Sequence, residues 1–99
     1  MEVKITTEDK VTTAFLIGRL DTLAAQEIAP QMDQLKSAGG TLVLDCSELS
    51  YISSSGLRIF LTLRKAAAER GGKVIVRNIS HEIRSVFMMT GFLNLFEIQ

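Results

Sequence analysis

Residues 41–79 constrain the fold more than any other part of the chain. The segment "TLVLDC", residues 41–46, is short, β-rich and almost wholly apolar, the pattern of a strand buried on both faces. After a polar loop, Leu57, Phe60, Leu61, Leu63 and Ala67 make one broad apolar face, while Arg58, Thr62, Lys65 and Glu69 fall opposite it. That spacing predicts an amphipathic helix. "KVIVRNI" then reads as a second strand. Strand, helix and strand in this order form a βαβ unit, which calls for parallel strands and a right-handed crossover.

The flanking segments extend this unit. Residues 3–7 and 11–18 alternate around Glu8, Asp9 and Lys10, as a β-hairpin does, and Val11, Thr13, Phe15 and Ile17 share one face of the second strand. In "DTLAAQEIAPQMDQLKSAGG" the residues Ala25, Ile28, Met32 and Leu35 recur at helical spacing, with Asp21 placed to cap the helix. Pro30 falls inside that pattern without an amide hydrogen, which predicts a kink or a helix in two pieces. "SHEIRSVFMMTG" reads as an amphipathic helix capped by Ser80 and closed by Gly91, and "LFEIQ" as an edge strand. The expected fold class is α/β: helices packed against a mixed sheet in the order β-β-α-β-α-β-α-β. With 99 residues, 46% of them hydrophobic, the chain has a real core and no room for a second domain, so residues 1–99 read as one domain.

Several function classes are disfavoured. Eleven basic residues balance eleven acidic ones, so the excess positive charge of a nucleic-acid binder is missing. Arg58, Arg64 and Lys65 have no interleaved aromatics and read as a solvated helix face. No apolar run approaches the roughly 18 residues of a membrane span. "MEVKITTEDK" shows no signal-peptide pattern. A soluble cytoplasmic domain is the expectation. The lone cysteine, Cys46, ends a core strand and is expected to be buried and inert. Met88 and Met89, beside Phe87 and Phe92, are expected to place at least one sulfur in the core. No metal or cofactor is expected.

"ISSSGLRIF" holds the candidate site. Ser53, Ser54 and Ser55 stand at the start of the central helix, where the first backbone N–H groups lack internal partners and the helix dipole is positive. One serine serves as the cap. A phosphate on another would face those donors and add about −1.5 to −2 charges. Gly56 would allow close approach by a partner or a kinase. A catalytic serine needs a base within reach, and the only histidine, His81, lies in the first turn of another helix. No G-x-S-x-G elbow and no Gly-rich phosphate loop with lysine occurs, so no catalytic residue is assigned.

These residues bear a family resemblance. "VLDCSELSYISSSGLRIFLTL" resembles the phosphoacceptor segment of STAS domains, above all of bacterial anti-sigma factor antagonists. "GRLDTLAAQEI" is similar to that family's Gly-x-Leu-Asp turn, and "ISHEIRSVFMMTGFLNLFEI" to its closing helix, glycine and last strand. The resemblance implies a partner-switching protein with no enzymatic activity. Its unphosphorylated form would bind an anti-sigma factor that is also a GHKL-type serine kinase, freeing the sigma factor. Phosphorylation would abolish binding, and a phosphatase would reset it. Carried over by motif, the acceptor is Ser55, with Ser54 as the alternative. Asp21, Ser53, Ser54, Ser55, Gly56, Leu57 and Arg58 would meet the partner. Asp21 would also serve as a helix cap, and Asp45 and Ser47 would fix the loop. The chain departs from the family at Ser53, where an aspartate is usual. That keeps open a second implication, a STAS subunit of a lipid-transport ATPase or stress-signalling complex without this phosphorylation.

Overall fold

The computed structural model describes all 99 residues. Two antiparallel strands, β1 (Glu2–Glu8) and β2 (Val11–Leu20), lead into helix α1 (Thr22–Leu35). Strand β3 (Thr41–Ile52), helix α2 (Ser54–Glu69), strand β4 (Lys73–Arg77) and helix α3 (His81–Thr90) follow, and a short 3-10 turn precedes β5 (Glu97–Ile98). The sheet runs β1-β2-β3-β4-β5, antiparallel only between β1 and β2. The expected element order holds.

Strand order explains where the helices go. Each of the three crossovers steps to the next strand in the same direction, and right-handed connections then place α1, α2 and α3 on one face of the sheet. The core fills the space between. Ala14 and Leu16 from β2, Leu42, Leu44 and Cys46 from β3, and Val74 and Val76 from β4 meet Ile28, Met32, Leu57, Phe60, Leu63, Ile83 and Phe87 from the helices. Phe60, Phe87, Phe92 and Phe96 form a cluster with ring centroids 6.0–6.2 Å apart, mostly edge to face.

One detail completes the sequence reading, and three differ from it. The face of β2 that meets the helices carries Thr12, Ala14 and Leu16, so Phe15 and Ile17 line the opposite, helix-free face, where they are half-buried. Helix α1 is one piece through Pro30, so the two-piece alternative fails. The proline is exposed, so the carbonyl it leaves unbonded can take water, and buried Ile28 and Met32 hold the helix on either side. Met88 and Met89 are exposed, at 63% and 87%. The buried stripe of α3 is Ile83 and Phe87, one turn apart, and the next two positions rotate away from it. Strand β3 is also longer than the apolar run 41–46. Register shifts against β2, between Phe15 and Ile17 and between Gly18 and Arg19, carry it on to Ile52.

Candidate functional site

Strand β4 pairs only with residues 41–45 of β3, so the second half of β3 continues with β2 alone. This two-stranded extension ends with Leu20 paired to Ile52. One residue later on each side a helix begins: Asp21 caps α1, and Ser53 caps α2. The carboxyl ends of adjacent parallel strands therefore set two helix starts side by side. Crevices at such strand ends are where open α/β sheets bind their ligands.

The local chemistry is specific. Asp21 Oδ1 accepts from the Ala24 amide at 2.8 Å, and Ser53 Oγ accepts from the Gly56 amide at 3.3 Å. Ser53 thus performs the capping that an aspartate would, without the charge. The Ser53 amide donates to the Leu20 carbonyl at 2.9 Å, tying α2 to the end of β2. Gly56 lies beneath. A Cβ there would stand 2.7 Å from Leu20 Cγ and 2.8 Å from Ile52 Cγ1, so this glycine is required by packing inside the molecule. Leu57 belongs to the core, 4% exposed. Gly56 and Leu57, expected at a partner surface, instead face inward and brace the loop.

The remaining residues of the set reach the surface. Ser54 and Arg58 are exposed; Asp21, Ser53 and Ser55 are half-buried. Ser55 Oγ lies 3.4 Å from Thr22 Oγ1 across the two helix starts. Together they open onto a groove of about 340 Å³ between α1 and α2, lined also by Gln26, Arg58, Ile59 and Met32. Around this end stand Leu23, 65% exposed, and Tyr51, whose ring carries the Arg19 guanidinium at 4.3 Å. Thr22, Leu23, Gln26 and Tyr51 were not singled out from the sequence. Thr22 was in reach of it, because it follows the capping Asp21.

Two ionisable groups in the middle of β3, well before the serines, are perturbed. Burial works against the Asp45 carboxylate, but Arg77 at 2.8 Å, the Ser47 backbone and side chain, and Asn78 at 3.1 Å outweigh it and hold its pKa below the usual carboxylate value. Asp45 thus fixes the first register shift of β3 through the Ser47 amide at 2.9 Å and joins it to the end of β4. Burial, helped by the Asp45 charge, pushes the Cys46 thiol up to about 12. His81 is exposed at the start of α3, on neither helix that flanks the serines. No group of three or more histidine, cysteine or acidic side chains is arranged to hold a metal ion. No helix is long and apolar enough to cross a membrane.

A fold with two helix starts at a serine-bearing strand–helix junction matches one family over nearly the whole chain. The STAS domain profile covers residues 2–99, and the chain belongs to the STAS family. Among its relatives, BtrV of Bordetella bronchiseptica is 30% identical over 91 residues, covering 91% of this chain and 78% of BtrV. The anti-sigma-B factor antagonist of Bacillus subtilis is 25% identical over 83 residues, covering 84% of this chain and 76% of that protein. Among solved structures, the anti-sigma factor antagonist SpoIIAA superposes in its unphosphorylated form with a TM-score of 0.76 at 21% identity, covering 99% of this chain and 87% of that one. Its phosphorylated form, from Bacillus, gives 0.75 at 22% identity, covering 99% and 91%.

Proposed function

We propose that the chain is an anti-sigma factor antagonist whose affinity for its partner is set by phosphorylation of Ser55. The observation that carries this reading is the position of Ser55. Its hydroxyl is partly accessible on the second residue of α2, above a capped and braced helix start, and beside the start of α1. The names of the relatives support the antagonist role, and the existence of SpoIIAA in a phosphorylated form supports the chemistry.

The partner on this reading is an anti-sigma factor with GHKL-type serine kinase activity. Transfer forms a bond between Ser55 Oγ and the γ-phosphorus of ATP as the bond to ADP breaks, and the hydroxyl proton passes to a base on the kinase. The product sits where helix dipoles favour negative charge, so the fold tolerates it. A partner packed over the same spot must desolvate or neutralise a dianion, at a cost of several kcal/mol. The switch is then a local electrostatic block with no refolding, and a phosphatase restores the binding form. No step in it uses catalysis by this chain.

The test is calorimetric titration of the cognate anti-sigma factor with wild type, Ser55→Ala and Ser55→Asp. Ser55→Ala should bind like the unphosphorylated protein and no longer respond to kinase and ATP. Ser55→Asp should bind at least about tenfold more weakly, about 1.4 kcal/mol. Its Tm should stay within about 4 °C of wild type, as a surface change of about 0.5 kcal/mol allows. Equal affinity of the two variants, or undiminished phosphorylation of Ser55→Ala, would contradict the reading.

A further inference from the structure

The side chains that surround Ser55 have a chemistry that the switch alone does not demand. Thr22 Oγ1 stands 3.4 Å from Ser55 Oγ, although 33 residues separate them in sequence. The pair is held by the frame beneath it: Leu20 pairs with Ile52, the Ser53 amide bonds the Leu20 carbonyl, and Gly56 lies against both side chains. One turn along each helix comes another donor. Gln26 is four residues after Thr22, Arg58 is three after Ser55, and all four line the same groove. Helical side chains lean toward the N-terminus, the direction in which the two hydroxyls lie from Gln26 and Arg58.

The charges about the groove leave this end open to an anion. Asp33 and Lys36, which also line it, pair with each other at 2.9 Å. The Asp21 carboxylate lines a separate hollow with Arg19 and Leu23, and Arg58 is in no salt bridge. A phosphate on Ser55 presents three acceptor oxygens. A hydroxyl, a carboxamide and a guanidinium are three donors of complementary kind.

We infer that Thr22, Gln26 and Arg58 form a cradle that holds the Ser55 phosphate in the mouth of the α1–α2 groove. Thr22 and Arg58 are positioning residues for the phosphorylated state. This rests on Ser55 being the acceptor, and it specifies where the phosphate goes: inward over the groove, on donors of its own chain.

The test needs no kinase. Phosphoserine is incorporated co-translationally at position 55 of the full chain, and its second ionisation is followed by ³¹P NMR between about pH 4 and 8, around the ordinary value of about 6. With donors favouring the dianion, wild type should titrate about half a unit or more below Thr22→Val and Arg58→Met. Thr22→Ser, which keeps the hydroxyl, should titrate with wild type. A packing role for Thr22 would not separate valine from serine in this way. Both sites are exposed, so the variants retain the fold. Titration of all four proteins together would overturn the cradle. Adding the anti-sigma factor to the same samples separates the two ideas. Unchanged partner binding with a lowered pKa would refute the switch and keep the cradle; partner release with a flat comparison would do the reverse.

Discussion

Replacing Gly56 by alanine sets two effects of opposite sign against each other, and the structure decides between them. Alanine is favoured over glycine inside a helix by about 0.8–1.0 kcal/mol, and by less in a first turn where backbone groups are still free. Gly56 lies in the first turn of α2. Against this, the new Cβ would meet Leu20 Cγ at 2.7 Å, Ile52 Cγ1 at 2.8 Å and Leu20 Cδ2 at 2.9 Å. Leu20 is wholly buried and Ile52 is 3% exposed, so neither can swing into solvent. Overpacking of this kind costs about 1–3 kcal/mol. The net effect is a loss of about 1–2 kcal/mol, or a Tm lower by about 5–15 °C in a domain this size. Urea unfolding followed by circular dichroism would measure it directly. Repeating the substitution in a Leu20→Ala background, where one of the two neighbours is gone, should shrink the penalty by about 1 kcal/mol or more. A Gly56→Ala protein more stable than wild type would show that the start of α2 is not clamped, and the placement of Ser55 would lose its foundation.

Two further predictions concern Asp45 and Cys46 in the middle of β3. Asp45 has a folded pKa below its unfolded value of about 3.9, so its contribution is fully present above that value and disappears as pH falls through the folded pKa. Asp45→Asn should therefore be less stable than wild type at neutral pH by about 1–3 kcal/mol, and the gap should narrow below about pH 4 in unfolding measured against pH. A gap that is independent of pH would show that the charge is not what Arg77 and Ser47 bind. Cys46, with its thiol at about 12 and its side chain buried, should resist iodoacetamide at pH 8 in the folded protein and react on unfolding. Rapid labelling of the native state, read by mass spectrometry, would contradict that placement.

Much of this architecture can be read from the residues, because its signals are local. The caps Asp21, Ser53 and Ser80 each bond an amide three residues on, within the span of a single turn. The stripe of Leu57, Phe60, Leu63 and Ala67 repeats at the helix period and is buried as that period requires. What stays hidden depends on residues brought together from afar. Asp45 meets Arg77 and Asn78 across 32 and 33 positions, and Thr22 meets Ser55 across 33. The two faces of β2 could not be ranked from alternation alone, because both carry apolar residues. Only the common direction of the three crossovers decides that Ala14 and Leu16 look toward the helices. Gly56 could be read as an opening for a partner or as a seat for the chain's own side chains. The positions of Leu20 and Ile52 settle it as the second.

The strand-to-helix connections at Asp21 and Ser53 are a single residue long. Neither has slack to act as a lever. A charge added there has no hinge through which to push the distant end of the molecule, and whatever reads it must come to it. On the proposed reading the message is confined to the first turns of two helices, with the rest of the domain as its mounting.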